Sequence, residues 1–556
     1  MKWWGWGDPD VSFTHRDKPK LAPFVRENVD LDLDRDAAPP PTLDALDVPA
    51  SKLGKELLDA LRSAVGPDHV RWDRRERVLH AYGKSIRDLL RLRAGDPGRL
   101  PDVVVYPGSE HEVTAVLEAA AAEGAVVVPF GGGTNISGSL EPPRAESRPV
   151  VSVDVGRMDR VRSIDSDSRL AVVEAGVRGP ALEAQLAQQG WTMGHFPDSF
   201  THSTLGGWIA TRSSGMQSDR YGDISAITRA VRVATPVGTL VTRAVPATST
   251  GPSVREMVLG SEGRLGVITE ATVQVHRIPE QRVILGYFFP TWDAGLAAMS
   301  AIAASETTPF LTRVSDAHET QFSLATAKAP TVGSRLQSFA LKQFLRHVKK
   351  VHLEEACLSF IGFEGSPARV KADRRAVGRL VAKHGGVCVG TGPGTLYDQK
   401  KFDTPYIRDY LLERGGLADV SETATGWSNL SHLYGAVLEA ARKAFAELGV
   451  KGWIMCHLSH SYHSGACLYF TFAFKPAGGL DAGRYDAALA QYDMVKRAIQ
   501  QAFVDHGATL SHHHAVGVEH SRWLAEDISP AGEAMVRALF DGVDPDHRFN
   551  PGKIVP

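Results

Sequence analysis

The run Pro129-Phe130-Gly131-Gly132-Gly133-Thr134-Asn135, directly after Ala125-Val126-Val127-Val128, restricts this chain more than any other feature. Three consecutive glycines at the end of a strand carry no Cβ and reach positive φ, so several backbone N–H groups can turn into one concavity. Such a concavity is an anion cradle, the usual way a loop holds a phosphate or pyrophosphate. A glycine triplet after a strand is, on its own, more often a tight turn, so the cradle needs support from elsewhere in the chain.

Composition narrows the class. The 556 residues leave room for more than one domain and for large cores. A net charge of −2 gives no electrostatic footprint for nucleic acid. No apolar run approaches the roughly 18–20 residues that span a bilayer. The opening Met1-Lys2-Trp3-Trp4-Gly5-Trp6-Gly7-Asp8 lacks the apolar core of a signal peptide, and Ile554-Val555-Pro556 is no peroxisomal address. Cys357, Cys388, Cys456 and Cys467 show no Cys-x-x-Cys spacing, which argues against a disulfide framework or a zinc site and for a reducing cytoplasm.

The first hundred residues are the least regular. Asp30 to Asp36 alternates acid with apolar residues ahead of Pro39-Pro40-Pro41, which reads as an extended linker; Leu53, Leu57, Leu58, Leu61, Ile86, Leu89 and Leu90 then recur at helical spacing. From Pro101 the rhythm becomes strand–helix–strand. Val103–Tyr106 is a short buried strand, and Ser109 with Glu112 forms a capping box that opens a helix carrying Val113, Val116, Leu117 and Ala120. Strands follow at Val150–Val155, Leu170–Val173, Ala230–Thr235 and Val267–Val275, with a helix near Ala181–Gln188. A second α+β region begins near Val283, with strands at Val283–Phe289, Cys357–Phe363, Gly452–His457 and Ala466–Phe474. The pattern predicts an α+β protein divided into an N-terminal helical region with linker (1–97), a nucleotide-binding domain (98–280), a cap or substrate domain (281–505) and a C-terminal segment (506–556) returning to the nucleotide-binding domain.

Three further loops reinforce the glycine triplet. Pro197-Asp198-Ser199-Phe200-Thr201-His202-Ser203-Thr204-Leu205-Gly206-Gly207, Thr211-Arg212-Ser213-Ser214-Gly215 and Gly260-Ser261-Glu262-Gly263-Arg264-Leu265-Gly266-Val267-Ile268 offer hydroxyls, backbone N–H groups and a cation. These are what a dinucleotide's phosphates and ring edges require. The four loops, in this order, resemble the FAD-binding domain of the vanillyl-alcohol-oxidase (PCMH-type) flavoproteins. Within that superfamily the resemblance narrows to the alkyldihydroxyacetonephosphate (alkylglycerone-phosphate) synthase family. It extends to the tryptophan-rich opening, to Tyr406-Ile407-Arg408-Asp409, to Gly465-Ala466-Cys467-Leu468-Tyr469-Phe470 and to Ser511-His512-His513-His514.

The resemblance implies a PCMH-type FAD domain with a second α+β cap. It also implies noncovalent FAD, since no histidine stands in the glycine loop. The implied contacts are Pro129, Phe130, Gly131, Gly132, Gly133, Thr134 and Asn135; Asp198, Ser199, Phe200, Thr201, His202, Ser203 and Thr204; Thr211, Arg212, Ser213 and Ser214; and Glu262, Gly263, Arg264, Leu265, Gly266, Val267 and Ile268. His202 departs from the apolar aromatic residue expected there. Gly390-x-Gly392-x-Gly394 is the one Rossmann-like candidate and lacks the third spaced glycine.

Tyr469, His512, His513 and His514 are the catalytic candidates, and no metal is expected. If the histidine triplet is extended, His512 and His514 share one face and His513 takes the other. A free phenol, with a pKa of about 10, is a poor base at pH 7 unless nearby cations lower it; Arg408 or the histidines are placed to do so. By the same resemblance Arg408 binds the substrate phosphate, with Arg313 as a second candidate. Leu336, Phe339, Ala340, Phe344 and Val348, interspersed with Arg335, Lys342, Arg346, Lys349 and Lys350, outline an amphipathic basic helix suited to membrane docking or gating.

The activity implied is exchange of the acyl group of an acyl-dihydroxyacetone phosphate for a fatty alcohol, an ether-lipid step without net redox. The alternative is an FAD-dependent oxidoreductase of a 2-hydroxy acid or alcohol, because one fold hosts many functions. The implied partners are a phosphorylated lipid or small molecule, a peripheral membrane contact and a second copy of the chain. The location expected is cytoplasmic, at the membrane periphery.

Overall fold

The computed structural model describes residues 1–328, 352, 354–480 and 484–555. Two sheet systems succeed one another along the chain and line opposite sides of a large cavity. In the first, β1 (Val70–Arg71), β2 (Val103–Val105), β3 (Val126–Phe130) and β4 (Val150–Asp154) form a sheet in the order β1-β2-β4-β3, with β2, β4 and β3 parallel. Parallel strands are covered on both faces, which is why Val103-Val104-Val105 and Val126-Val127-Val128 are unbroken and buried valine runs.

An antiparallel sheet follows, built from β5 (Val161–Asp165), β6 (Leu170–Glu174), β8 (Thr228–Thr235), β9 (Gly238–Val241) and β10 (Val267–Gln274) in the order β5-β6-β10-β8-β9; the short β7 (Trp191–Thr192) pairs with β11 (His276–Arg277). The helix Glu110–Ala122 begins at Ser109, whose Oγ accepts from the Glu112 N–H at 3.2 Å. The Glu112 carboxylate takes the Gly108 N–H at 2.7 Å instead of that of Ser109, so the expected reciprocal box is a single cap. A reciprocal box does occur at Ser85 and Asp88, opening Ile86–Arg93.

The second system is one seven-stranded antiparallel sheet of β12 (Gln281–Phe289), β13 (Leu311–Ser315), β14 (Cys357–Gly365), β15 (Val387–Gly390), β16 (Leu417–Gly426), β17 (Gly452–Ser461) and β18 (Gly465–Phe474), in the order β15-β12-β14-β13-β17-β18-β16. One face packs a core with the helices Trp292–Ala303, Pro367–Lys383, Leu430–Leu448 and Tyr485–Asp505. The other face lines the cavity. Strand β18 shows the division: Leu468, Phe470, Phe472 and Phe474 sit in the core, while Tyr469, Thr471 and Ala473 line the cavity. Each such Leu or Phe stabilises the fold by about 1.5–3 kcal/mol relative to exposure.

The N-terminal region departs from the sequence reading. The helical stretch is three separate helices, Lys55–Val65, Arg74–Leu79 and Ile86–Arg93, and a further helix, Leu21–Val29, precedes them. Its Leu21, Val25 and Val29, spaced by four, are buried together with Leu31 and Leu33, so the acid–apolar alternation that reads as linker is packed into a core cluster. Trp3 and Trp6 are buried, and the Trp6 N–H donates to Asp409. At the other end the tail returns to the first sheet, where the Val127 N–H donates to Arg548 O at 2.7 Å and the Asn550 N–H to Val127 O at 2.9 Å. The amphipathic segment around Leu336–Val348 lies outside the described residues.

Candidate active site

The cavity has a volume of about 1430 Å³. That exceeds the roughly 300–1,000 Å³ of an ordinary ligand pocket and leaves room for a cofactor and a second ligand. All seven residues of Pro129–Asn135 line it, as do Asp198, Ser199, Ser203, Thr204, Thr211, Ser213, Ser214, Glu262, Gly263, Gly266, Val267 and Ile268. The glycines are required by close approach: a Cβ on Gly131 would run into Thr204 Oγ1, and one on Gly132 into the His202 carbonyl. Backbone N–H groups and hydroxyls therefore meet the cavity with no side chain in between, a surface shaped for a dinucleotide.

Six expected cofactor contacts keep their side chains out of the cavity. Phe200 stacks on Trp208 and Phe402, Thr201 is exposed, and His202 packs edge-on against Trp6 at 5.8 Å. His202 is thus a packing residue whose burial pulls its pKa down. Arg212 turns to Glu256 at 3.1 Å, Arg264 lies over the Phe540 ring, and Leu265 joins a C-terminal core cluster. The Gly390–Gly394 run joins a strand to a helix, and Gly394 is needed because a Cβ there would strike the Ile284 carbonyl.

Opposite the loops, strand register assembles the chemistry. Tyr469 on β18 pairs with Glu422 on β16 and with His457 on β17, so the three side chains form one row across the sheet. His457 stacks on Tyr469, centroids 4.9 Å apart and planes at 19°. Its Nδ1 lies 2.8 Å from Glu319, which also holds Arg313 at 2.6 Å. Strand alternation would send His460 to the face opposite His457, but a bulge in β17 between Leu458 and His460 turns both to the cavity.

The triplet is not extended. It wraps around the buried Glu422 carboxylate, which accepts from Ser511 Oγ (2.6 Å) and from the N–H groups of His512 (2.7 Å), His513 (3.1 Å) and His514 (3.0 Å). His513 and His514 consequently share the cavity face, and it is His512 that points elsewhere, to Tyr462 OH at 2.5 Å. Glu422, Cys467, His512 and His513 bring ligand-type atoms within 4.8 Å of one another, yet four donors already fill the carboxylate.

Burial sets the protonation states. It pushes the Tyr469 phenol well above its ordinary range, with Asp198 and Glu422 adding to the effect. The expected lowering by neighbouring cations is therefore reversed, and Tyr469 is a proton donor at neutral pH. Burial also pulls His513 down to about 4 and His514 and His460 well below 6.5, leaving them neutral acceptors. Glu319 stays a carboxylate at about 2 because His457 and Arg313 outweigh its burial.

Arg408, on the helix Thr404–Leu412, lines the cavity and is held by Asp409 Oδ1 at 3.0 Å and by the Lys84 carbonyl. Arg313 lines it from β13. Glu319, Glu422, His457 and His460 were missed as site residues. Strand pairing or the bulge positions Glu422, His457 and His460, while Glu319 sits in the first turn of the helix Ala317–Ala325.

Two family models match the chain, "FAD binding domain" over residues 101–243 and "FAD linked oxidases, C-terminal domain" over 278–554. Alkyldihydroxyacetonephosphate synthase of Dictyostelium discoideum is 36% identical over 100% of this chain and 93% of its own, and that of Trypanosoma brucei brucei 35% over 100% and 92%. A solved alkyldihydroxyacetonephosphate synthase superposes with a TM-score of 0.83 at 34% identity, covering 99% of this chain and 98% of its own.

Proposed function

The chain belongs to the alkyldihydroxyacetonephosphate synthase family, and from that premise we propose that it replaces the acyl group of an acyl-dihydroxyacetone phosphate with a long-chain alcohol, giving an ether-lipid precursor and a fatty acid without net redox. It is an FAD enzyme. The observation that carries the reading is convergence: the glycine loops, Arg408, Tyr469 and the neutral histidines all line one cavity.

The residues present fit FAD. The cradle of Gly131 and Gly132 admits no Cβ, and the hydroxyls of Thr134, Ser199, Ser203, Thr211 and Ser213 surround it. Bound there, noncovalently, FAD supplies an electron-poor ring that can take up and return an electron pair. The protein's own groups do the rest. Arg408 anchors the phosphate, so that binding energy remote from the reacting carbon positions it. Arg313, paired with Glu319, places a guanidinium on the adjoining wall. Tyr469, which stays protonated, donates a hydrogen bond to the departing carboxylate, while His513 and His514 accept the proton of the incoming alcohol. Phe13, Phe24, Val29, Phe322 and Trp453, at the apolar end of the cavity, take the hydrocarbon chains. A peripheral membrane contact, a cytoplasmic location and a homodimer complete the proposal. Its support for the membrane is that apolar end, and for the dimer and location the family resemblance and composition; no helix among the described residues is long and apolar enough to cross a membrane.

The test is lipid exchange followed alongside an anaerobic flavin spectrum. Exchange without lasting bleaching is the expected result, and Tyr469→Phe should lower kcat by about 10²–10⁴ with the flavin still bound. Acid precipitation should release the flavin into the supernatant. Lasting bleaching by a 2-hydroxy acid, with no lipid exchange, would instead establish the oxidoreductase.

A further inference from the structure

The proposed exchange makes a proton that has to leave. Alcohol plus ester gives ether plus carboxylic acid, and a carboxyl with an ordinary pKa near about 4.3 departs at neutral pH as the anion. One proton per turnover, taken from the alcohol, therefore remains at the site. We propose that His513, His512, Tyr462 and Asp223 form a relay that carries this proton from the cavity to the half-buried Asp223. The proposal rests on the reading of His513 as the cavity's base.

The hydrogen bonds are continuous. His513 Nδ1 lies 2.9 Å from His512 Nδ1, His512 Nε2 lies 2.5 Å from Tyr462 OH, and Tyr462 OH lies 2.8 Å from Asp223 Oδ2. The other Asp223 oxygen accepts from Ser214 Oγ. The carboxylate fixes the polarity of the whole line. Tyr462 donates to Asp223, so its oxygen accepts from His512 Nε2–H. His512 Nδ1 then has to accept, and His513 Nδ1–H donates to it. Glu422 does not compete for that proton, because it lies 3.5 Å from His513 Nδ1 and already holds four donors. His513, which lines the cavity, is left with Nε2 as a bare acceptor without a protein partner among the described residues.

Transfer is then a concerted shift with no change in electron count. The alcohol O–H bond breaks as an N–H bond forms at His513 Nε2. The Nδ1 proton passes to His512 Nδ1, the Nε2 proton of His512 to the Tyr462 oxygen, and the phenolic proton to Asp223 Oδ2. Asp223 is half-buried, and His513 faces the cavity. Burial and Asp223 both hold the Tyr462 phenol protonated, so it passes a proton without becoming a free phenolate. Asp219 and Cys467 flank Tyr462, Glu422 and His460 flank the two histidines, and His195 adjoins the acid end. None of them interrupts the line of donors.

Three lobes of the fold meet here. Asp223 and Ser214 come from the glycine-loop region, Tyr462 from the β17–β18 turn and the histidines from the C-terminal segment. The test uses the FAD-loaded enzyme. Tyr462→Phe cuts the line and Asp223→Asn removes its terminal acceptor. Each should lower kcat about 10- to 100-fold, less than loss of a direct base. Flavin spectrum and KM for the phosphorylated lipid should be unchanged, and the D₂O effect on kcat should rise. Formate should restore part of the rate to Asp223→Ala, and Asp223→Glu should restore it without formate. Unchanged kcat and D₂O effect in both Tyr462→Phe and Asp223→Asn, with His513→Gln impaired, would overturn the relay and leave the base standing. Full activity in all three would overturn the base as well.

Discussion

The two walls of the cavity are made in opposite ways. The glycine-loop wall presents backbone N–H groups, hydroxyls and one buried carboxylate, Glu262, itself tied down by Ser139 Oγ and by the N–H groups of Val516 (2.9 Å) and Gly517 (3.0 Å). The opposite wall presents Arg313, His457, His460 and Tyr469 from strands of the seven-stranded sheet and Glu319 from the helix Ala317–Ala325, with the buried Glu422 paired to Tyr469. A wall that grips a large cofactor is defined by atoms it lacks, since any Cβ there closes the cradle. A wall that moves protons is defined by groups taken out of water, whose pKa values burial drives apart until the phenol donates and the imidazoles accept. The first wall tolerates no added carbon, and the second no change of charge.

The largest effect should come from breaking the first wall. Gly132→Val drives two methyl groups toward the His202 carbonyl and the Ser203 backbone. Overpacking costs about 1–3 kcal/mol even where side chains can yield, and here the neighbour is main chain. FAD affinity should fall by about 100-fold or more, giving colourless protein without activity. Thr201→Ala, on the same loop but exposed, should purify yellow. Absorbance of the purified proteins and FAD titration decide it, and a fully flavinated Gly132→Val would show that the cradle is not closed in this way.

A smaller effect should separate the walls. Arg408→Ala removes a charge-assisted contact worth about 1.5–3 kcal/mol, so KM for the phosphorylated lipid should rise about 10- to 100-fold. KM for the alcohol and the flavin content should stay as they were. A rise in both KM values would mean that Arg408 shapes the cavity and does not read the phosphate. Its anchoring by Asp409, which also takes the Trp6 N–H, ties this arginine to the tryptophan-rich opening segment.

The same asymmetry decides what could be read from the chain. Pro129–Asn135 and the loops at Asp198, Thr211 and Glu262 were legible because missing side chains leave a mark in sequence. Most strands that were read, from Val103 to Phe474, match within a residue or two because valine runs and alternation follow from burial. Strand β17, however, runs four residues past His457, and β5, β9, β13 and β16 were not read. Phe200, Thr201, His202, Arg212, Arg264 and Leu265 keep their side chains out of the cavity because a loop's residues do not all face one way, and sequence carries no signal for which of them turn aside. Glu422 gave no sign at all. Its role is to gather three N–H groups from a segment about ninety residues away, and that pairing exists only once β16 and the C-terminal segment are brought together. His460 was hidden by a one-residue bulge, which inverts the facing that alternation predicts.

The smallest effect sharpens the second wall through pH. His513 titrates near about 4 in the folded chain against an ordinary 6.5. Between those values the unfolded chain binds the proton and the folded one does not, so stability from this site is complete above pH 6.5 and is lost as pH falls toward 4. Asp219 and Asp316, raised to about 7, act with the opposite sign in the same window, since the folded chain then holds protons that the unfolded chain has released. The quantity to measure is therefore wild type minus His513→Gln, in which those carboxylates cancel. That difference should shrink by about 1 kcal/mol between pH 7.5 and 5.5, read from denaturant unfolding at each pH. A difference that stays flat would mean that His513 keeps an ordinary pKa. Burial would then not be what makes it the acceptor on this wall, and the contrast with the glycine-loop wall would rest on geometry alone.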